Sequence, residues 1–272
     1  MFTTLVGQEF RSHGRTCLVI VGLDSLTGLL LTGLGMLPVP VLGQFCAVLA
    51  LVVLLAMPAI LLVYLGLAYW QTMYGQRGYF TFALPVRGRQ IFAAKLTHAG
   101  IWTLACFVLV PAMLLLSGWL HYLPADGTIG EVLDELLWEP IDLIGKGFFW
   151  AGVGAMIVST LCLVVECAAV MSIGARSRWN RLGIGAPVIG FVLLEVVSQV
   201  LSVVGTLFIP VGVDMAERRI VLGDMATPLL EAIRTNGEPT VMGIGSMAMP
   251  LLLAAVLAVW AVDSIEHHTS LR

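Results

Sequence analysis

The sequence predicts an all-α, polytopic membrane protein with six transmembrane helices. Three observations carry that expectation. Of the 272 residues, 59% are apolar and only 11% are charged, against about 25% charged in soluble domains. The mean hydropathy is +0.97. The apolar residues also lie in runs of about 20 or more, the length that crosses a bilayer as helix, rather than in alternating or one-sided patterns. This composition excludes an ordinary soluble enzyme, a nucleic-acid binder and a disordered chain, which needs low hydrophobicity. A net charge of -3 gives no reason to expect an anionic partner.

Taken in order, the spans are expected at 16–37, 45–70, 92–120, 147–174, 182–209 and 241–262, with residues 1–272 forming a single transmembrane domain. Pro58 and Pro111 fall inside the second and third spans. Each removes a backbone donor and is expected to kink its helix. Ahead of the first span, residues 1–15 set Phe2, Leu5, Val6 and Phe10 at helical spacing, with Gln8, Arg11 and Ser12 elsewhere on the wheel. That pattern predicts a short amphipathic helix lying in the interface, turned into the first span at Gly14. The stretch carries Glu9 and does not fit a signal peptide, so the first apolar run is expected to remain as an anchor.

Orientation follows from the basic residues. With six spans both termini share a side. That side holds Arg11, Arg15, Arg77, Arg87, Arg89, Lys95, Arg176, Arg178, Arg181 and Arg272, while the other holds only Lys146, Arg218, Arg219 and Arg234. Both termini are therefore expected in the cytoplasm, with 121–146 and 210–240 extracellular. In 121–146, Val132, Leu136, Leu137 and Ile141 form an apolar stripe with Trp138 as an interfacial anchor. In 210–240, Leu229, Leu230 and Ile233 suggest a partly inserted helix.

The cytoplasmic loop 75–91 is unusual. Between Gly75 and Lys95 there is no acid, and Tyr79, Phe80, Phe82 and Leu84 cluster beside Pro85, Arg87 and Arg89. Four large apolar side chains in a loop need something to pack on, either the membrane headgroup layer or a groove on another protein.

Chemistry is sparse elsewhere. Cys17, Cys46, Cys106, Cys162 and Cys167 all lie within apolar runs and form no CxxC pair, so they read as small core residues. Gly145-Lys146-Gly147 faintly resembles the end of a phosphate loop, but Pro140 stands at the first glycine position and no Ser or Thr follows the lysine. No HExxH, GxSxG or GxGxxG is present, and the adjacent His267 and His268 point apart. No catalytic or metal site is expected. Three acids, Asp24, Glu166 and Glu195, lie within spans with no Lys or Arg at similar depth. An unpaired carboxylate at mid-membrane costs about 2.5–3.5 kcal/mol on insertion scales. Such a group serves either a polar cavity or proton-linked step, or an interhelical hydrogen bond that fixes packing. Ser198 and Gln199 are candidate partners for Glu195, Thr160 and Ser172 for Glu166, and Ser25 and Thr27 for Asp24. The spacing of Ser198/Ser202 and Ala254/Ala258 allows close helix approach.

The arrangement resembles the permease subunits of ABC-2 type transporters. The stretch FALPVRGRQIFAAK, Phe82–Lys95, is similar to that family's pattern of a leucine-proline pair, basic residues and a helix start leading to a lysine. The resemblance implies that two permease chains, the same or different, form a path in the plasma membrane. Each would dock on a separate ATP-binding cassette subunit, which holds the ATP and magnesium that this chain lacks. It makes Tyr79, Phe80, Phe82, Leu84, Pro85, Arg87 and Arg89 the coupling helix that enters the ATPase groove. Residues 1–15 become the elbow helix, and the segment before the last span becomes a re-entrant hairpin. The implied function is export of an amphipathic or hydrophobic cargo such as a peptide, drug or lipid. Two alternatives stand beside it: a proton- or cation-linked secondary transporter using the three acids, and a non-transporting immunity or sensor subunit.

Overall fold

A computed structural model describes residues 2–75, 78–83, 85–122, 129–176, 185–214, 219–223, 225–228, 234 and 241–267. Helices dominate. α1 is Phe2–Gly35, α2 Pro40–Met73, α3 Gly78–Phe82 and α4 Gly88–Tyr122. α5 (Ile129–Leu133), a π-helical turn (Asp134–Trp138) and α6 (Glu139–Ile144) follow as one helical stretch. α7 is Lys146–Gly174, α8 Gly185–Phe208 and α9 Met249–His267. Six of these helices are long and apolar enough to cross a membrane. The protein is an all-α, multi-pass membrane protein by length and composition.

The chain forms two compact units, 1–157 and 158–272, with the division inside α7. In the first unit α1, α2 and α4 pack together. Its core is Cys17 and Val21 from α1, Met57, Leu61 and Leu65 from α2, and Trp102, Cys106 and Val110 from α4. Gly28 lets α1 and α2 close: a Cβ there would sit 2.5 Å from Leu54 Cδ2. Pro58 and Pro111 lie within α2 and α4 as the spacing required, and both helices continue through them.

The second unit combines the later part of α7 with α8, α9 and a small antiparallel sheet. β1 (Val211–Asp214) lies between β2 (Arg219–Leu222) and β3 (Val241–Gly243). Val213 pairs with Ile220 on one side and with Met242 on the other. Ile244 N–H donates to Val211 C=O at 3.0 Å, and a 3₁₀ turn at Gly245–Ala248 leads into α9.

Three expectations change. The first is the separate interfacial helix at 1–15: α1 runs unbroken through Gly14. One glycine costs a helix only about 1 kcal/mol, and this stretch is held by packing. Leu5, Val6 and Phe10 are half-buried, Gly14 is buried, and only Phe2 of the proposed stripe is exposed. The second concerns the last span, which starts at Gly245–Met249 rather than at 241, because 241–243 pairs with β1. The third concerns the outer segment before it, expected as a re-entrant hairpin: among its described residues 211–214 and 219–222 form a sheet with 241–243, and 226–228 are helical. Leu229, Leu230 and Ile233 lie outside the described residues. In 121–146 the helical expectation agrees: Ile141 is buried, Leu137 half-buried and Trp138 47% exposed. The side chains of Val132 and Leu136 are not among those described.

Gly145 explains the faint phosphate-loop likeness. Its φ is 94°, a conformation open to glycine and strained for other residues. It closes α6, with its N–H on Ile141 C=O at 2.8 Å. The glycine stops one helix before the next begins at Lys146.

Candidate functional site

The aromatic loop folds into α3, a single helical turn and a half between α2 and α4. Gly78 N–H donates to Gly75 C=O at 2.8 Å, and Ala83 N–H to Tyr79 C=O at 3.0 Å. Thr81 Oγ1 donates to Thr72 C=O at 2.7 Å, which moors the turn to the end of α2. Gly78, its first residue, is buried. The outward face carries Tyr79, 53% exposed, and Phe80, 79% exposed. Phe82 is half-buried, and Pro85, Arg87 and Arg89 are exposed. Leu84 lies outside the described residues. Among the described residues, the expected apolar knob presents two exposed rings with basic residues beside them.

Beneath α3 lies a polar network that sequence reasoning missed. Lys95 Nζ donates to Glu9 Oε1 at 2.7 Å and to Thr72 Oγ1 at 2.8 Å. Thr72 Oγ1 in turn donates to Ala68 C=O at 2.7 Å. One lysine thus joins α1, α2 and α4 at the end that carries α3. The Lys95 side chain is 6% exposed and that of Glu9 21%. Next to it His13 Nδ1 and Tyr64 OH are 3.0 Å apart, and the Phe10 ring meets His98 edge-on at 4.6 Å between centroids. His98 is 3% exposed, and its Nε2 has no hydrogen-bond partner. The one sequence signal for this cluster was that Glu9 and Lys95 are opposite charges flanking apolar runs; nothing local joins residues 86 positions apart.

The three intramembrane acids occupy different surroundings. Asp24 in the first unit is 7% exposed, and its Oδ2 has no partner. Thr27, a candidate neighbour, instead donates to Leu23 C=O at 2.8 Å. Glu166 in the second unit is 5% exposed, and its Oε1 has no partner. Ser172 Oγ donates to Ala168 C=O at 2.8 Å. Glu195 behaves as the spacing anticipated. It accepts from Gln199 Nε2 at 2.8 Å, one turn on, and the pair is exposed.

Each unit also holds a cavity. In the first, about 480 Å³ is bounded by Thr32, Leu51, Pro111, Leu114, Ser117 and His121, with Thr32 and Ser117 hydroxyls 2.8 Å apart across α1 and α4. In the second, about 390 Å³ lies among Ser159, Ser202, Thr206, Ser246, Met247 and Pro250. Val203 and Leu207 complete the lining of the latter, and the walls of both are mostly apolar. Among the described residues no three His, Cys, Asp or Glu side chains converge as a metal-binding set.

Comparison with protein-family models, with curated proteins and with solved structures gives no match.

Proposed function

We propose that this chain is the membrane-spanning permease subunit of an ATP-driven exporter of the ABC-2 kind, working in the plasma membrane with a separate ATPase. The observation that carries the reading is the exposed ring pair Tyr79–Phe80. A membrane protein gains nothing by exposing two aromatic rings on a tightly moored turn at its basic end unless they are covered. The mooring itself supports the reading. α3 is hydrogen-bonded to Thr72, Thr72 to Lys95, and Lys95 to Glu9. A push on the rings reaches three helices through contacts of 2.7–2.8 Å. Nucleotide binding in the partner would supply the push, and rigid-body motion of the helices would shift the path between its states. The apolar cavity between α1, α2 and α4 suits an amphipathic or hydrophobic cargo.

The test is co-purification. Tyr79→Asp with Phe80→Asp removes the apolar face without touching the half-buried Phe82. A cytoplasmic ATPase that co-elutes with the unaltered chain should be lost from the double variant, while yield and helicity stay unchanged. Retention of the ATPase at full stoichiometry, or its absence from the unaltered chain, defeats the reading.

A second reading, proton- or cation-linked transport, draws on the buried carboxylate oxygens of Asp24 and Glu166 that lack partners. It expects transport by the purified chain alone in vesicles, driven by an ion gradient and abolished by Glu166→Gln.

A further inference from the structure

Two polar faces meet between α7 and α8. Ser159 of α7 and Ser202 and Thr206 of α8 line the cavity of about 390 Å³ in the second unit. The helices run antiparallel, with Gly174 against Pro187 and Val170 against Gly190. Seven residues make two helical turns, about 10 Å, so Glu166 shares a face with Ser159 and Glu195 shares one with Ser202. Both steps lead from the cavity toward the Gly174–Pro187 contact. The register thus sets the two carboxyl groups opposite each other, close enough for Glu195 to act electrostatically on Glu166. Glu166 is 5% exposed, and its Oε1 has no partner. Glu195 accepts from Gln199 Nε2 at 2.8 Å. Glu195, Gln199, Ser202 and Thr206 follow one another at steps of four, three and four residues. They make a polar track from the carboxyl pair into the cavity.

Among the described residues of α7, α8 and α9, no Lys or Arg lies at this depth. α7 beyond Lys146, α8 and α9 carry none, and Arg176, ten residues past Glu166, is held by Asp263 at 2.7 Å. Intramembrane carboxyl groups face a partner or a cavity and mark the paths of ligands. A bare metal ion would leave most of this cavity unfilled. Small-molecule sites occupy about 300–1,000 Å³, with mostly apolar walls and a few placed polar groups. Here Val203, Leu207, Met247 and Pro250 supply apolar wall. We propose that the track binds an organic cation, an ammonium or guanidinium group carried on an apolar body, with its charged group between Glu166 and Glu195 and its body in the cavity. N–H donors of such a group make charge-assisted hydrogen bonds to both carboxylates. The Gln199 amide fixes the orientation of Glu195. The inference rests on neither transport reading, since binding needs no ATPase and no ion gradient.

Dansylcadaverine, a primary ammonium joined to an apolar fluorophore by a short alkyl chain, tests this on the purified full chain in phosphatidylcholine nanodiscs. Its N-acetylated form keeps the body and loses the charge. Fluorescence anisotropy should show saturable binding of the amine and binding of the acetylated form weaker by about tenfold or more. Glu166→Gln and Glu195→Gln keep side-chain volume, and each should weaken amine binding about tenfold while leaving the acetylated form unaffected. Ser202→Phe fills the cavity and should weaken both forms. Asp142→Asn, which removes a carboxylate 67% exposed outside this unit, should change nothing. Four outcomes overturn the proposal: no saturable binding of the amine, equal affinity for the two forms, amine binding unchanged in either glutamate variant, or amine binding unchanged by Ser202→Phe. If the Glu166→Gln chain does not fold, the contrast between the two forms on the unaltered chain, with Glu195→Gln at the exposed carboxylate, decides.

Discussion

Two ion pairs close the basic ends of the two units, and they differ in burial rather than in length. In the first unit Lys95 and Glu9 lie 2.7 Å apart with side chains 6% and 21% exposed. In the second, Arg176 and Asp263 also lie 2.7 Å apart, but with side chains 21% and 49% exposed. The first pair has exchanged most of its water for one another and for Thr72. The second keeps much of its hydration and adds Ser264 Oγ at 2.8 Å and the Trp260 ring at 5.6 Å. Equal distances thus conceal unequal consequences. Breaking a desolvated pair strands a charge, whereas breaking a wet one returns both groups to solvent.

The largest expected effect follows directly. Lys95→Met leaves Glu9 uncompensated beside the aromatic cluster and should destabilise the protein by about 3–5 kcal/mol. The thermal midpoint of the detergent-solubilised chain measures it. Adding Glu9→Leu to Lys95→Met should restore most of the loss, because an apolar pair of similar volume carries no stranded charge. A single variant as stable as the unaltered chain would mean that water reaches this pair, and the contrast between the two units would vanish.

An intermediate effect tests packing in the same unit without touching charge. Gly28→Val places methyl groups where Leu54, fully buried, already sits. Overpacking of this kind costs about 1–3 kcal/mol. Leu54→Ala in the same chain should relieve it, so the double variant loses less than the sum of the two singles. Additive losses would show that α1 and α2 separate freely at this point.

These contrasts also mark what the sequence could reveal. Six spans were legible because each is a long local run, and hydropathy over about 20 residues needs no tertiary information. The exposed rings Tyr79 and Phe80 were legible for the same reason, as apolar residues out of place among glycines and arginines. The Glu195–Gln199 bond was readable from its four-residue spacing. The Glu9–Lys95 pair was not, since only the approach of α1 to α4 joins the two residues. That same approach absorbs Leu5, Val6 and Phe10, whose stripe reads equally well as a membrane-facing or a protein-facing side. The strands were missed because three or four residues are too few for a period of two to stand out. Val211 and Val213 flank Gly212, and their partner Val241–Gly243 reads as the beginning of an apolar helix.

The smallest effect sharpens the comparison most. Arg176→Gln removes the contact with Asp263, but the carboxylate is half exposed and has His267 Nδ1 at 3.2 Å. After allowance for solvent screening the loss should be about 0.5–1 kcal/mol, several-fold below that of Lys95→Met. Salt separates the two cases further. At 1 M salt the screening length is about 3 Å, so the Arg176→Gln difference should shrink toward zero. The Lys95→Met difference should shrink much less, because the Lys95 side chain is 6% and that of Glu9 21% exposed, and partly buried pairs are screened less than exposed ones. Were both to shrink together, the Lys95–Glu9 pair would be as open to solvent as the other.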